Sequence, residues 1–261
     1  MQVNHTRERL SRGETVFGSG LQVYRSVEVP RAFAAAGFDY VFIDMEHGTF
    51  SLETVHDMIV ASIQAGITPI VRVAELAYSL VARLLDAGAQ GIILPRVEDP
   101  KLLAEALSWM RFPPLGIRGY GVNATMVDYE ARTFPEIIEH INRNTLAVVQ
   151  FETVTAMERA DELLSLPGVD IAMVGPADLS ISLGIPGQFD NPLLISTVDK
   201  LIEQCKQHDV VPGIQTRGAA MAKMWAERGM RFVGAAAEHA LLLERAKEVV
   251  SQLRSAKVAV G

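Results

Sequence analysis

Short runs of apolar residues recur along the chain, and more polar segments separate them. Most of these runs lack the strict alternation of apolar and polar residues that marks a strand with one face in water. Uninterrupted runs rich in valine and isoleucine predict strands that are buried on both faces, as in a parallel sheet covered by helices. Eight runs fit this description: residues 16–23, 40–43, 70–73, 91–94, 146–151, 170–174, 211–214 and 231–234.

The segments between these runs carry apolar residues at steps of three and four, which is the spacing of an amphipathic helix. One example is the set Leu52, Val55, Ile59 and Ile63. Eight units of strand and helix in 261 residues favour a (β/α)8 TIM barrel, since such barrels use about 250 residues. We therefore predict a single barrel domain over residues 1–261, with a doubly wound open sheet as the alternative.

Two segments depart from this regular alternation. The connection 111–145 is longer than the others, and its prolines and glycines predict a functional loop or lid rather than a domain linker. The last segment, from 238 to about 255, carries an apolar stripe that includes Leu241, Val249 and Leu253. This stripe must pack either on the chain's own barrel or on the barrel of a neighbouring subunit.

Composition and charge narrow the class of protein. The chain has 24 basic and 31 acidic residues and a net charge of -7, which argues against nucleic acid as a partner. No apolar run approaches the roughly 18 residues of a membrane span, and the first residues do not form a signal peptide. The single cysteine, Cys205, cannot form an internal disulfide. These features predict a soluble cytoplasmic protein that does not bind membranes.

Two carboxylates follow neighbouring strands of the predicted barrel. Glu152 lies just beyond the fifth run and Asp178 just beyond the sixth, and the active sites of such barrels lie at these strand ends. Two carboxylate ligands favour a divalent cation whose other coordination positions are open to substrate and water. Mg²⁺ or Mn²⁺ is expected first, with Co²⁺ or Zn²⁺ as alternatives. The alternative interpretation is that Asp178 caps the following helix and that Glu152 forms a salt bridge.

Three further side chains near strand ends are candidates for chemistry. Arg72 lies in an apolar run, where a guanidinium is costly unless an anion is paired with it, so it predicts either a small carboxylate ligand or a buried salt bridge. His47 follows the second run and is a candidate general base near neutral pH, although a structural role is the alternative. Asp44, at the same strand end, is an additional candidate.

Other chemistries are less well supported by the residues. The lysines fall in helical segments or the tail, which argues against an aldolase that forms a Schiff base. Residues 213–218 and 234–237 follow the last two runs, at positions where many barrels bind phosphate, so a phosphate-binding lyase is a further alternative.

Six stretches of the sequence resemble the HpcH/HpaI aldolase family, the class II pyruvate aldolases. They occur in the order found in that family and are distributed over most of the chain. The stretches are FDYVFIDMEH at 38–47, IVRV at 70–73, LLDAGAQG at 84–91, PPLGIRG at 113–119, VQFET at 149–153 and VGPADLS at 174–180.

The resemblance implies a (β/α)8 barrel of the phosphoenolpyruvate/pyruvate superfamily. It also implies a homo-oligomer, often a hexamer built as a trimer of dimers, in which the last helix is exchanged between subunits. A divalent metal would be bound by Glu152 and Asp178. By the same resemblance, Gln150 and the backbone at Ala177 would hold pyruvate beside Asp178.

Two catalytic assignments also come from the resemblance. Arg72 would stabilise the enolate, and His47 would be the base, with its basicity raised by Asp86. The implied reaction is the reversible cleavage of a 4-hydroxy-2-oxo acid to pyruvate and an aldehyde through a metal-stabilised pyruvate enolate. The alternatives are an oxaloacetate decarboxylase, an enzyme similar to macrophomate synthase, and a barrel that binds carboxylates without turnover.

Departures from the family pattern concern the aldehyde side of the site. Met45 precedes Glu46 where many relatives have glycine, Arg96 replaces a common methionine, and the segment 120–126 replaces a loop that usually bears arginine and serine. These differences argue against an acidic acceptor such as succinate semialdehyde, whereas the pyruvate half of the site retains its residues.

Overall fold

The strands close into a parallel barrel. The structure, a computed structural model, describes residues 1–122 and 126–255. In this part of the chain each strand pairs with the next, and β8 pairs with β1. The predicted TIM barrel is therefore confirmed. The strands are β1 Val16–Leu21, β2 Tyr40–Asp44, β3 Thr68–Arg72, β4 Gly91–Leu94, β5 Leu146–Phe151, β6 Ile171–Val174, β7 Val211–Thr216 and β8 Phe232–Ala237.

Helices follow the strands and cover the outside of the barrel. Many contribute one apolar face to the layer between helices and strands, as the spacing of their apolar residues predicts. None of those in the described part of the chain has the length and apolar character that crossing a bilayer requires. The helices are α1 His5–Ser11, α2 Glu28–Ala36, α3 Leu52–Gln64, α4 Tyr78–Asp86, α5 Pro100–Trp109, α6 Phe134–Asn144, α7 Val154–Glu158, α8 Ala160–Leu164, α9 Pro176–Ser182, α10 Pro192–Gln207, α11 Ala219–Glu227 and α12 Glu238–Arg254.

The interior of the barrel is filled by large side chains rather than by solvent. The rings of Tyr40 and Phe232 stack with their centroids 4.0 Å apart. Gly18 permits this packing, since a Cβ atom there would overlap the Tyr40 ring. Because side chains fill the interior, the barrel is not a pore, and a site can form only at the carboxyl ends of the strands.

Two strands extend past their apolar runs and carry polar residues into the site. β2 continues to Asp44 and β7 continues to Thr216, and both of these side chains are buried. Asp44 lies in register with Arg72 on β3. A pattern based on apolar residues ends too early at such positions, because the strand goes on after its side chains become polar.

The long connection 111–145 is only partly a loop, which corrects its interpretation as a loop or lid. Its second half forms α6, which begins with a capping box between Thr133 and Glu136. At its base, Arg111 donates to the carbonyl of Thr145 and to Asp170, which precede β5 and β6. This part therefore lies at the amino ends of the strands, opposite the site. Residues 123–125, part of the segment that departs from the family pattern, lie outside the described residues.

The last helix packs little of its surface on its own barrel. Glu238 is its buried residue, and several large apolar side chains of α12 are exposed. Exchange of this helix between subunits stays a prediction. The exposed side chains are Leu242, Leu243, Val249, Val250 and Leu253.

Candidate active site

A cavity of about 510 Å³ opens at the carboxyl ends of the strands. This volume is typical of small-molecule sites, which range over about 300 to 1,000 Å³. The residues that line it come from both sides of the barrel and include five of the predicted site residues. They are Gly20, Gln22, Phe42, His47, Arg72, Gln150, Met173, Gly175, Pro176, Ala177, Asp178, Phe189, Gln215, Thr216, Arg217, Ala236, Ala237, His239 and Ala240.

Arg72 is held in place by three acidic and amide groups. Its Nε and Nη2 atoms donate to the two carboxylate oxygens of Asp44, at 3.0 and 2.7 Å. Its Nη1 atom lies 2.9 Å from Oε2 of Glu46 and donates to Oε1 of Gln150 at 3.3 Å. The buried salt bridge considered from the sequence is thus present, and it fixes a guanidinium that also lines the cavity.

Asp44 orients both Arg72 and the turn that follows β2. The side chain is fully buried, and it also accepts hydrogen bonds from Nε2 of Gln22 and from the backbone N–H groups of Glu46 and His47. Burial alone would raise the pKa of Asp44, but the hydrogen bonds and charge of Arg72 outweigh it and lower the pKa below its ordinary value. Asp44 is therefore an ionised positioning residue.

Asp44→Asn is expected to lower the free energy of unfolding by about 3 kcal/mol, because Arg72 would keep its buried charge and lose an ionised partner. The pKa of Asp44 is lower in the folded protein than its ordinary value of 3.8, so the stabilisation is fully present at pH values above 3.8. The stabilisation is lost as the pH falls through the lower pKa of the folded protein. Urea unfolding should give a constant difference between wild type and variant over about pH 5 to 8. A difference that varies in this range would contradict the assignment.

Glu152 lies near enough to Asp178 for their negative charges to interact, and Asp178 lines the cavity. Glu152 is 3% exposed, and its oxygens accept hydrogen bonds from the backbone N–H of Arg96 and from Nε2 of Gln150, at 3.0 and 2.5 Å. Burial raises the pKa of Glu152, and the negative charges of Asp178 and Glu46 raise it further. The site therefore carries negative charge that its hydrogen bonds do not neutralise.

The alternative roles weighed for the two carboxylates are not observed. The residue that caps α9 is Gly175, which has no side chain, and Asp178 lies within the first turn of the helix. Among the ion pairs of the described residues, which include those of Arg72 and Arg96 with Glu46, none involves Glu152.

The residues fit a divalent cation. Carboxylate and amide oxygens are the donors that Mg²⁺ and Mn²⁺ prefer. A cation would offset both the burial and the negative neighbours that raise the pKa of Glu152. Gly175 leaves room for this arrangement, since a Cβ atom there would lie 2.9 Å from Nε2 of Gln150 and 3.0 Å from Oε2 of Glu152. No group of three or more His, Cys, Asp or Glu side chains suited to a metal occurs in residues 1–122 and 126–255. Protein ligation by the two carboxylates would leave positions for substrate and water.

His47 reaches the cavity, but Asp86 does not. The His47 side chain is 52% exposed and lies 3.9 Å from Glu46, measured from Nε2 to Oε2. Asp86 ends α4, accepts a hydrogen bond from Nη2 of Arg118 at 2.7 Å, and lines a separate outer pocket beside α3. Within one chain the structure therefore does not pair Asp86 with His47, and its effect on the base stays a prediction.

Sequence reasoning assigned no role to two residues that build the site, Glu46 and Gln22. Glu46 bridges two arginines, since its oxygens lie 2.9 Å from Nη1 of Arg72 and 2.9 Å from Nε of Arg96. Its position between Asp44 and His47 was the available signal. Gln22 gave no such signal because it lies inside a run that reads as apolar.

The structure shows where the cysteine lies and which residue types line the cavity. Cys205 is buried on α10, and burial raises the pKa of its thiol to about 12, so the reactive thiolate does not form near neutral pH. Lysine is not among the described residues that line the cavity.

Comparison with known proteins identifies the family. The family model described as HpcH/HpaI aldolase/citrate lyase matches residues 26–244. The chain belongs to the HpcH/HpaI aldolase/citrate lyase family. It is 32% identical over 253 residues to the hydroxypyruvate/pyruvate aldolase of Roseobacter denitrificans, covering 96% of this chain and 97% of that protein. It is 31% identical over 227 residues to a 4-hydroxy-2-oxo-heptane-1,7-dioate aldolase of Escherichia coli, covering 87% and 86%.

A solved structure supports the same conclusion. The HpcH/HpaI aldolase from Desulfitobacterium hafniense DCB-2 superimposes with a TM-score of 0.91 at 29% identity, over 98% of each chain. The similarity to aldolases extends over most of the chain and includes the strands that carry the site. The protein is therefore an aldolase, and the resemblance inferred from its motifs is confirmed.

Proposed function

We propose that this aldolase reversibly cleaves a 4-hydroxy-2-oxo acid to pyruvate and an aldehyde, with a Mg²⁺ or Mn²⁺ ion bound by Glu152 and Asp178. The observation that carries the proposal is the presence of the Arg72 guanidinium and Asp178 on the wall of one cavity, beside the Glu152 carboxylate. The names of the Roseobacter denitrificans and Escherichia coli relatives agree with a 2-oxo acid substrate. A homo-oligomer, a hexamer arranged as a trimer of dimers, and a cytoplasmic location stay predictions.

The pyruvate half is assigned to the wall formed by β3, β5 and β6. Arg72 lines the cavity with its guanidinium fixed by Asp44, Glu46 and Gln150, and there it would stabilise negative charge on the 2-oxo oxygen as the enolate forms. Gln150 and the backbone at Ala177 would hold the carboxylate end of the same half. A divalent cation bound by Glu152 and Asp178 would supply Lewis-acid stabilisation of that negative charge.

His47 is assigned the proton transfers on the aldehyde side. In the cleavage direction it would accept the proton of the C4 hydroxyl while the bond between C3 and C4 breaks. The electron pair of that bond would pass to C3 and give the enolate of pyruvate, and C4 would become the aldehyde carbonyl. Synthesis is the reverse, with the methyl group of pyruvate deprotonated and the new alkoxide protonated.

His47→Gln is expected to lower kcat for aldol cleavage by about 100- to 10,000-fold, the usual contribution of a general base. Decarboxylation of oxaloacetate by the same variant should keep most of its wild-type rate, because loss of CO₂ gives the enolate without a hydroxyl proton to remove. Pyruvate release from both substrates, measured with a coupled assay, checks this difference. Equal losses in the two reactions would contradict the role of His47, and faster turnover of oxaloacetate than of any aldol would favour the decarboxylase alternative.

A further inference from the structure

The cavity is larger than the pyruvate half alone requires. A water-sized atom takes about 30 Å³ in a liquid, so the six non-hydrogen atoms of pyruvate need at most about 180 Å³. The cavity measures about 510 Å³. Well over half of its space is therefore left for the aldehyde half, and the residues on that side decide which aldehydes fit.

The remaining wall carries a cationic group. Arg217 directly follows β7 and lines the cavity. In a closed barrel of eight strands, β7 lies four strands from β3 in either direction, so Arg217 and Arg72 stand on opposite sides of one cavity. A ligand held at Arg72 by its 2-oxo acid end would extend toward Arg217.

The two arginines differ in their partners. Arg72 is neutralised by Asp44 and Glu46, whereas none of the ion pairs formed in the described part of the chain includes Arg217. The guanidinium of Arg217 instead lies over the ring of Phe189, with 5.1 Å between its Cζ atom and the ring centroid. Stacking on an aromatic face fixes the plane of a guanidinium and leaves the N–H groups at its edge to donate hydrogen bonds.

The carboxylate that follows β8, next to β7 in the barrel, is held by other donors. Glu238 is 4% exposed, and its oxygens accept hydrogen bonds from the backbone N–H groups of Gln22, Val23 and Tyr24. Its charge is thus satisfied by the loop after β1. Asp178, which follows β6 and lines the same cavity, is proposed to bind the metal, so neither neighbouring carboxylate is assigned to Arg217.

We propose that Arg217, held by Phe189, binds an anionic group at the far end of the aldehyde half, so that the preferred acceptor carries a carboxylate or a phosphate. This inference rests on the proposed function and names its substrate class. It reverses the expectation from the sequence that an acidic acceptor is disfavoured. That expectation came from Met45, Arg96 and the segment 120–126, and did not consider the end of β7.

The test compares aldehydes of the same length that differ in charge. Aldol addition to pyruvate is measured with succinate semialdehyde and with butanal, and the pair glyceraldehyde 3-phosphate and glyceraldehyde separates phosphate from carboxylate. For Arg217→Ala we expect kcat/KM with the preferred anionic aldehyde to fall about 10- to 100-fold, as for loss of a charged hydrogen bond. Its kcat/KM with the matched neutral aldehyde should change less than about twofold, and Arg217→Lys should recover part of the loss.

Arg228→Ala is the matched control. Arg228 also lies over an aromatic ring, 5.7 Å from the centroid of Trp225, but it follows α11 and does not line the cavity. This variant should retain wild-type kinetics with all four aldehydes. Two results would overturn this inference alone, provided that the wild type exchanges the methyl protons of pyruvate. One is that the wild type uses charged and neutral aldehydes equally well. The other is that Arg217→Ala loses equal activity with the charged and with the neutral aldehyde. A wild type that does not exchange those protons would overturn the proposed function and this inference with it.

Discussion

Glu152→Ala is expected to lower kcat/KM for aldol cleavage by more than about 100-fold and to weaken Mn²⁺ binding by at least as much. Loss of a group that merely supports a metal ligand costs about 10- to 100-fold, and Glu152 is proposed to bind the metal directly. The variant would leave Asp178 as the remaining protein carboxylate of the pair. Titration with Mn²⁺, followed by electron paramagnetic resonance, measures the affinity, and pyruvate release measures turnover.

The control for this prediction is Glu158→Ala. Glu158 lies on the exposed surface of α7, so its loss removes the same charge without touching the cavity. It should bind Mn²⁺ and turn over substrate as the wild type does. Unchanged Mn²⁺ affinity in Glu152→Ala would show that this carboxylate is not a ligand.

Arg72→Lys is expected to reduce kcat/KM for cleavage by about 100- to 1,000-fold, the range for loss of one donor to a developing oxyanion. The lysine keeps the positive charge. It cannot reproduce the fork that holds both oxygens of Asp44 at 3.0 and 2.7 Å while a third nitrogen faces Glu46 and Gln150. Steady-state kinetics should show most of the loss in kcat, because the charge that Arg72 stabilises develops after binding.

Arg31→Lys is the control for this substitution. Arg31 lies on the exposed face of α2 and pairs with Glu28, and it should tolerate the change without loss of activity. If Arg72→Lys retained wild-type kcat, the planar fork would not be needed, and the assignment of Arg72 to the enolate would be wrong.

The barrel could be predicted from the sequence, and the proposed metal ligands could be placed at its rim, because both depend on where the strands end. Buried parallel strands read as apolar runs, so the ends of β5 and β6 could be placed, and with them Glu152 and Asp178. Arg72 stood out for a different reason, since a guanidinium inside an apolar run must have a partner. The partner itself, Asp44, lies on the adjacent strand in register.

Contacts made by turns and by distant segments were harder to predict. Gln22 reaches the cavity and Glu46 reaches Arg72 through the loops after β1 and β2. The paths of these loops depend on hydrogen bonds to Glu238 and Asp44. Arg217 lies beyond an apolar run and shows no local pattern that points to a ligand. Its significance depends on the closure of the barrel, which sets it opposite Arg72.

Asp86 is a residue whose role could be predicted only through the resemblance, and that role stays a prediction. It ends a helix, whereas the site lies at the ends of strands, and in this chain it pairs with Arg118 on the outer side. The helix α6 was missed for a different reason. Prolines and glycines before it favoured a loop, while its own apolar spacing at Ile137 and Ile141 was too short a signal to outweigh them.

The most direct test of the account is the exchange of the methyl protons of pyruvate in D₂O, followed by proton NMR without any aldehyde. Enolate formation from pyruvate requires the donor half of the site and a base, assigned here to His47, but no aldehyde. The wild type is expected to exchange these protons with Mg²⁺, and to lose exchange both in a chelator and in Glu152→Ala. Exchange that continues at the wild-type rate in the chelator and in that variant would contradict the metal-dependent enolate mechanism.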